Sequence, residues 1–439
     1  MDVICQLKSA TKTEPALPIS MKIILVNYRY FLSGGPERYL FNITEILERN
    51  GHTVIPFSIQ HNKNKPTSWS SYFMSPVGSG DEVYANEYKK TSLGTVLKVL
   101  GRMLYSFEAK RKLKKLIRDS KPDLVYVLYY QNKMSASVID AAYELKIPVV
   151  HRISDFGSIC ANNIFYRYQE NAICEKCLSG SRLNAVKLKC VGNSRVSSLL
   201  KVLALKIQDW RHTTDKISAF IIPAAFTAGK FREFGIPDRK IHCIPTFFNS
   251  SNQGSAGITY GDFFLYVGRV DPDKGILTMV KAFVQTGFKL VIIGSSIEGY
   301  DQVIRNYLDG KKHQITFLGK LDFAAIRPYL ESCLCTICPS ECYDNMPNSV
   351  LESYASEKAV IASRLGALTD LVPDQQTGLL FKAADPADLA ERLSDMYHSP
   401  EKAISLGRAG KKMLESEFSE LYHYSQLMDV FNKVKSEYN

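Results

Sequence analysis

Seven short runs rich in Val, Ile and Leu, separated mostly by helical patterns, restrict the fold of this chain more than any other feature. They lie at residues 22–27, 124–129, 149–153, 219–222, 263–267, 290–293 and 334–338. Runs that are apolar throughout are typical of parallel strands covered on both faces, because a half-exposed strand would alternate apolar and polar residues. The pattern predicts an α/β protein with doubly wound sheets.

The length of 439 residues exceeds what one hydrophobic core usually supports, so we expect two domains. The polar stretch after Phe248 is typical of a flexible linker, which we place at residues 249–261. The other predicted boundaries are a poorly ordered extension at residues 1–20, a first domain at 21–248, a second domain at 262–417 and a terminal helix at 418–439.

The stretch from Pro339 to Glu352 directly follows the last apolar run. Ligands bind beyond the carboxyl ends of strands in open α/β sheets, and a helix N-terminus offers unpaired amides to an anion. Pro347 suits the first helical turn. The amides of four residues are therefore candidate phosphate donors: Asn345, Met346, Asn348 and Ser349. Asp344 and Glu352 could reach ligand hydroxyls, although an N-capping Asp and a solvated Glu would explain the same residues.

A second motif follows the run at 263–267, where Gly268, Arg269 and Lys274 lie in a loop. The two motifs together resemble the donor-binding half of family-4 glycosyltransferases, which are retaining enzymes of the GT-B fold. The resemblance implies two Rossmann-like domains facing a central cleft, with the terminal helix crossing back to the first domain, and it extends over about residues 21–435.

The resemblance also implies roles for these side chains. Arg269 and Lys274 would bind the donor diphosphate and stabilise the negative charge that grows on it as the leaving group, so the chemistry would require no cofactor. Asp344 would contact the sugar, where the family has a glutamate, and Glu352 the ribose. Surface charges at positions 269 and 274 are the alternative interpretation.

In the first domain, Gly34 and Gly35 match a Gly-Gly loop that lies near the acceptor and the donor phosphate in that family. Ser154 and Asp155 stand where many relatives have His-Asp near the donor sugar; a serine can donate a hydrogen bond but cannot titrate near neutral pH. We expect His151 to be a core residue or to support the site indirectly.

Charge is distributed unequally along the chain. Residues 1–250 carry 36 Lys and Arg against 20 Asp and Glu, a net charge of +16, and residues 251–439 carry 19 against 24, or −5, which sum to the +11 of the chain. The first domain receives the acceptor in the resembling family. The asymmetry therefore indicates an anionic acceptor, an anionic membrane surface, or both.

The segment Val96 to Arg118 combines apolar residues at helical spacing with a basic run, and predicts a basic amphipathic helix. Such a helix could rest on a membrane or simply pack on a sheet. No stretch has the ~18 to 20 apolar residues needed to span a bilayer, and residues 1–20 do not read as a signal peptide. These patterns predict a cytoplasmic protein, peripheral at most on the inner face of the membrane.

Ten cysteines without an export signal predict thiols rather than disulfides. Four of them could form a structural zinc clip, and a similar cluster occurs in a subset of the resembling enzymes: Cys160, Cys174, Cys177 and Cys190. Another four are predicted to be small buried side chains: Cys333, Cys335, Cys338 and Cys342.

The predicted function is that of a retaining hexosyl-type glycosyltransferase. The donor would be a nucleotide diphosphate sugar, UDP or GDP sugar first, and the acceptor an anionic glycan or lipid-linked glycan in bacterial capsule, O-antigen or exopolysaccharide synthesis. We expect no nucleic acid partner. A GT-B sugar-nucleotide epimerase and a nucleotide-sugar-binding scaffold subunit without catalysis are the alternatives.

Overall fold

The structure, a computed structural model, describes residues 20–78, 93–248, 257–296 and 299–438. Its contacts divide the chain into two compact units. The first comprises Met1–Asn163, Lys176–Ile244 and Tyr424–Asn439, as far as these ranges are described, and the second Ile164–Glu175 and Pro245–His423. Most of the predicted extension at 1–20 and most of the predicted linker at 249–261 lie outside the described residues.

The first unit is built on a six-stranded parallel sheet in the order β2-β1-β3-β4-β7-β8. The elements up to the end of this sheet are β1 (Lys22–Val26), α1 (Gly35–Arg49), β2 (Thr53–Phe57), α2 (Leu93–Leu104), α3 (Phe107–Ser120), β3 (Leu124–Val127), α4 (Ser137–Tyr143), β4 (Val149–Arg152), β5 (Tyr166–Arg167), β6 (Ala172–Ile173), α5 (Asn184–Lys187), α6 (Arg195–Trp210), β7 (Ala219–Ile222), α7 (Ala225–Glu233) and β8 (Ile241–Cys243). Strands β5 and β6 form a separate antiparallel hairpin, which belongs to the second unit.

The second unit has a parallel sheet in the order β11-β10-β9-β12-β13-β14. Its elements are β9 (Phe263–Val267), α8 (Ile276–Thr286), β10 (Lys289–Ile293), α9 (Tyr300–Leu308), β11 (Gln314–Gly319), α10 (Phe323–Ser332), β12 (Cys335–Cys338), α11 (Asn348–Ala355), β13 (Ala359–Ser363), α12 (Leu368–Leu371), β14 (Gly378–Phe381), α13 (Pro386–His398) and α14 (Pro400–Glu417). The terminal helix α15 (Glu420–Tyr438) belongs to the first unit from Tyr424 onwards. Within the second unit the strand order reverses between β9 and β12, which marks a ligand-binding crevice in open α/β sheets.

The predicted α/β class with two doubly wound sheets is confirmed. All seven apolar runs are strands, and β3, β4, β7, β12 and β13 are buried along their full length. Helices cover the sheets, so each strand must be apolar on both faces. The apolar pattern therefore located these seven strands to within two residues.

The prediction of one helix over Val96 to Arg118 is wrong, because the structure has two helices there. The hydroxyl of Ser106 accepts a hydrogen bond from the Ala109 amide at 3.2 Å and starts α3 anew. A serine at this position favours a helix start because its side chain replaces a missing intrahelical partner. Leu113 and Leu116 of α3 are buried, and this helix packs against α4.

Within residues 20–78, 93–248, 257–296 and 299–438, no helix is long and apolar enough to cross a membrane.

Candidate functional site

Two loops of the second unit meet where its strand order reverses. The first follows β9 and the second follows β12, and these two strands are neighbours in the sheet. The amides of Glu341 and Cys342 in the second loop donate hydrogen bonds to the carbonyl of Asp273 in the first, at 2.9 and 3.2 Å. Backbone hydrogen bonds therefore fix the relative position of the two predicted motifs.

Two glycines allow this close approach. Gly275 has a φ of 66°, and a Cβ there would lie 1.9 Å from the Pro339 carbonyl oxygen. A Cβ on Gly268 would lie 2.6 Å from the hydroxyl of Tyr266, which donates to the Arg269 carbonyl at 2.6 Å. The fold alone therefore accounts for glycine at both positions. Donor contact by Gly268 stays a prediction.

Arg269 is held by two carboxylates of its own loop. Its guanidinium pairs with Asp271 and, at 2.9 Å, with Asp273, and both carboxylates are almost fully buried. Burial acts to lower the pKa of Arg269, but the charges of Asp273 and Asp271 outweigh it and raise the pKa. The Arg269 side chain is still 45% exposed. A fixed, permanently charged guanidinium thus keeps one edge available to an anion.

Lys274 pairs with Asp344 of the other loop, and Asp344 also accepts a hydrogen bond from the Ser340 hydroxyl. Burial acts to lower the pKa of Lys274, and the charge of Asp344 more than reverses this, so the pKa is raised. The sulfur of Cys342 lies 4.0 Å from the Lys274 ammonium and 3.6 Å from Asp273. Arg269, Lys274 and Asp344, predicted from separate motifs, therefore belong to one network.

Glu352 lies on α11 and is buried. It lines a small cavity together with Val267 and Cys338, the last residues of β9 and β12. The structure thus places Glu352 beside the ends of the two strands from which the loops depart. Its contact with a ribose stays a prediction.

The start of α11 differs from the predicted one. Pro347 has an extended ψ of 121° and precedes the helix as its N-cap, so it is not in the first turn. No side chain caps this N-terminus. Asn348 and Ser349 are the first two helical residues, and the sulfur of Met346 accepts a hydrogen bond from the Thr246 amide at 3.1 Å. Asn345 precedes them in the loop, and the four amides stay predicted donors.

A tyrosine from a distant part of the sequence also contacts the network. Tyr168 follows β5, in the hairpin that belongs to the second unit, and its hydroxyl donates to Asp273 at 3.2 Å. In the same hairpin segment, the ring of Phe165 meets that of Tyr343 at 6.1 Å between centroids. Sequence reasoning missed Tyr168, since it lies more than 100 positions before Asp273 and no motif surrounds it.

In the first unit, Gly34 and Gly35 lie where β1 leads into α1. Gly34 is extended, and a Cβ there would meet nothing closer than 3.8 Å. The hydroxyl of Ser33 accepts from Arg29 at 2.9 Å and donates to the buried carboxylate of Glu37 at 2.8 Å, which anchors this loop. Donor contact by the glycines stays a prediction.

Ser154 follows β4 and is held by the fold. It accepts from Arg152 at 3.2 Å, and its hydroxyl donates to the Leu128 carbonyl at 3.3 Å. Asp155 beside it accepts from the Gly157 amide at 2.7 Å, and burial raises its pKa. The proposed sugar contacts of Ser154 and Asp155 stay predictions.

Lys201 of α6 is a buried cation that the sequence analysis did not identify. Its ammonium donates to Asn132 at 3.0 Å. Burial lowers its pKa to about 8, against the opposing attraction of Asp155. An apolar helix pattern surrounds Lys201, so only the fold shows that it faces inward.

His151 lies in the core, as expected. Its Nδ1 donates to the Val127 carbonyl at 3.0 Å, and its ring packs near those of Tyr130 and Phe220. Burial lowers its pKa to about 4. A neutral imidazole at this position supports the sheet of the first unit.

The predicted burial of one cysteine group is confirmed: Cys333, Cys335, Cys338 and Cys342 are all buried. Of the other group, Cys174 belongs to the second unit and Cys160, Cys177 and Cys190 to the first. Among the described residues, no three His, Cys, Asp or Glu side chains are arranged to hold a metal ion. The zinc clip stays a prediction.

Comparison with known proteins finds a family match within the second unit. Residues 255–413 match the sequence model of a family described as Glycosyl transferases group 1. An uncharacterized glycosyltransferase of Methanocaldococcus jannaschii is 29% identical over 181 residues, 40% of this chain and 48% of that protein. The capsular polysaccharide biosynthesis glycosyltransferase CapM of Staphylococcus aureus is 25% identical over 189 residues, 39% of this chain and 46% of that protein. The alignments thus span about half the length of these relatives.

Solved structures show the fold over nearly the whole chain. Sucrose-phosphate synthase from Thermosynechococcus elongatus has a TM-score of 0.68 at 17% identity, covering 95% of this chain and 100% of that one. Anabaena HepE, solved in complex with UDP, has a TM-score of 0.62 at 15% identity, covering 94% and 100%. With its two doubly wound units, the chain has the GT-B fold.

Proposed function

We propose that this chain, in which residues 255–413 match the model of the Glycosyl transferases group 1 family, is a glycosyltransferase that transfers a sugar from a nucleotide diphosphate sugar to an acceptor hydroxyl with retention of anomeric configuration. The observation that carries the proposal is the network of Arg269, Lys274 and Asp344 at the point where the second sheet reverses its strand order. Ligands bind at such points, and two fixed cations favour a diphosphate there.

Charge development gives these cations a catalytic role. When the bond between sugar and phosphate breaks, negative charge grows on the leaving diphosphate, and cations already in position stabilise it at no cost in reorganisation. The carboxylates of Asp271 and Asp273 keep the Arg269 guanidinium in place. We therefore propose leaving-group stabilisation by side chains, with no metal ion in the chemistry.

Asp344 is the residue we propose for contact with the sugar. It pairs with Lys274, so a sugar hydroxyl that hydrogen-bonds to Asp344 would lie close to the cation that holds the diphosphate. Glu352, beside the ends of β9 and β12, would bind the ribose. Because aspartate is shorter than the glutamate of the resembling family, the identity of the sugar does not follow from the motif.

The nucleotide and the acceptor are proposed on different grounds. HepE was solved with UDP, which supports a UDP sugar, while a GDP sugar stays an equal candidate. The basic first half of the chain favours an anionic glycan or lipid-linked acceptor. The partial similarity to CapM supports a role in surface polysaccharide synthesis.

A product assay tests the proposal. The chain is incubated with UDP, GDP and ADP sugars, with and without EDTA, and with a panel of glycan and lipid-linked acceptors. We expect one donor to release its nucleoside diphosphate in an acceptor-dependent, EDTA-resistant reaction, and NMR of the product to show the anomeric configuration of the donor. Tight donor binding without turnover over the whole panel would instead indicate a binding subunit, and an inverted product would refute retention.

A further inference from the structure

Helix α6 of the first unit exposes an apolar stripe along one face. The stripe comprises Val196, Leu199, Leu203 and Trp210, which are 69%, 42%, 41% and 77% exposed. Their spacing of three, four and seven residues places all four side chains on the same face. Lys206 falls on the same face between Leu203 and Trp210, and it is exposed.

The opposite face of α6 packs into the unit, where Ser198, Val202 and Leu205 are buried. The helix is therefore anchored by a different face, and its exposed stripe is not needed for packing against the core. Large apolar side chains that recur in solvent at helical spacing are uncommon on monomeric proteins, and such patches mark interaction sites.

The helices next to α6 also carry exposed apolar side chains. Helices α2 and α5 both pack against α6. Leu97 of α2 is 60% exposed, and Leu183 directly before α5 is 43% exposed. Exposed apolar side chains thus lie on or directly beside three helices that pack together.

The charge of this region is strongly positive. Residues 176–212 contain eight Lys and Arg but a single acidic residue, Asp209, which pairs with Arg182 at 2.9 Å. Four cations of the segment are exposed on or beside the helices: Lys187, Lys189, Arg195 and Lys206. The partner of an apolar stripe with such a border must be both apolar and anionic.

We propose that the α6 stripe is a docking surface for a lipid bilayer with anionic headgroups. An amphipathic helix with a basic border lies in the membrane interface with its apolar side chains among the acyl chains, and tryptophan favours this depth. A second copy of the chain fits less well, because a symmetric contact would place the same cations against each other.

This assignment differs from the basic run of α3. In α3, Lys110 and Lys114 both pair with Glu144, at 2.6 and 2.5 Å, and Lys112 donates to the Phe73 carbonyl. Of its apolar residues, Phe107 at the start of the helix is 77% exposed, whereas Ala109, Leu113, Leu116 and Ile117 are buried. Helix α3 thus exposes a single large apolar side chain, whereas α6 exposes four along one face.

Trp210 offers a direct readout. The chain has two tryptophans, so Trp69→Phe leaves Trp210 as the single emitter. The emission is titrated with vesicles of phosphatidylcholine containing about one third phosphatidylglycerol, and with pure phosphatidylcholine vesicles. We expect a blue shift with the anionic vesicles alone, weakened by added salt because exposed charges are screened.

Two variants and a matched control locate the surface. In the Trp69→Phe background, Val196→Asn with Leu203→Asn and, separately, Lys187→Gln with Lys189→Gln should each weaken vesicle binding by about tenfold. The control pair Val303→Asn with Leu421→Gln removes apolar residues of the second unit that are 48% and 78% exposed, and should bind as the parent does. Lys187 and Lys189 lie outside the packed core, so we expect the variant with both substitutions to fold normally. A loss of vesicle binding in this variant therefore reports on the surface itself.

Three results would overturn the proposal. The first is the absence of any shift of Trp210 emission with anionic vesicles. The second is equal loss of binding in the control pair, which would place the contact elsewhere. The third is a shift that grows with protein concentration in the absence of vesicles and disappears in the stripe variant, which would assign the stripe to a second copy of the chain.

Discussion

Buried charged residues lie at the carboxyl edges of both sheets. The two edges differ in how far apart along the chain the interacting residues are. At the second sheet, Arg269 pairs with Asp271 and Asp273, two and four positions away. At the first, the buried Lys201 is attracted to Asp155, and Arg152 lies over the ring of Tyr39. At the second edge, most interacting residues are thus close together in sequence, whereas at the first edge tertiary packing brings distant residues together.

This difference separates two uses of buried charge. The Arg269 side chain stays 45% exposed although its acidic partners are buried, which suits a cation that receives a ligand. Lys201 is buried and donates to Asn132, which suits a cation that holds the fold. We therefore expect substitutions at the second edge to affect donor chemistry, and substitutions at the first edge to affect stability more.

The largest effect is expected for Lys274→Ala. Loss of the ammonium removes leaving-group stabilisation, so the rate of sugar transfer should fall by about 10² to 10³. The same change leaves Asp344 as a largely buried carboxylate without its cation, and should lower the free energy of unfolding by about 3 kcal/mol. Steady-state rates and urea denaturation measure the two effects.

Lys289→Ala is the matched control for this variant. Lys289 starts β10 in the same unit and pairs with Asp262 in an exposed contact of 2.5 Å. Exposed pairs contribute little, so rate and stability should stay close to those of the wild type. Equal rates in Lys274→Ala and Lys289→Ala would refute the catalytic role.

A pH effect of about 3 kcal/mol is expected from His151. Its pKa of about 4 in the folded chain lies below the ordinary value of 6.5, so the unfolded chain binds the proton more tightly. Stability contributed by the neutral ring is therefore lost as the pH falls from about 6.5 towards 4. Denaturation series across this range should show a smaller loss for His151→Gln; parallel curves for both proteins would contradict the assignment.

A double-mutant cycle between Asp155 and Lys201 should give a coupling free energy of about 1 to 3 kcal/mol. Either Asp155→Asn or Lys201→Met leaves one buried group without its opposite charge, while the double variant leaves none. The double variant should therefore unfold at a higher urea concentration than additivity predicts. Additive changes would show that the attraction between the two residues contributes nothing.

The smallest effect is expected in α3. Lys114 pairs with Glu144 at 2.5 Å, and both side chains are partly exposed. Lys114→Ala should change the free energy of unfolding by less than about 1 kcal/mol. It should also leave vesicle binding unchanged. A strong loss of vesicle binding in this variant would indicate that α3 contacts the membrane.

Local patterns predicted seven of the strands and identified Arg269, Lys274 and Asp344, which the fold brings together, because apolar runs and short polar motifs are properties of neighbouring residues. The split between α2 and α3 was missed, since the apolar spacing continues across the position where Ser106 starts a new helix. Tyr168 and Lys201 were missed because their partners, Asp273 and Asp155, lie far away in sequence. Such contacts depend on tertiary packing, which cannot be inferred from the pattern of residues adjacent in sequence.

Donor-dependent thermal stabilisation tests the central claim most directly. The Tm is measured with UDP, GDP and ADP sugars for the wild type, for Arg269→Ala, and for Arg305→Ala, an arginine of the same unit that is 61% exposed. A ligand at ~100 times its dissociation constant adds about 2.7 kcal/mol of stability. We predict that one donor raises the Tm of the wild type and of Arg305→Ala but not that of Arg269→Ala. An equal rise in all three proteins, or none in the wild type, would contradict a donor site at the second sheet.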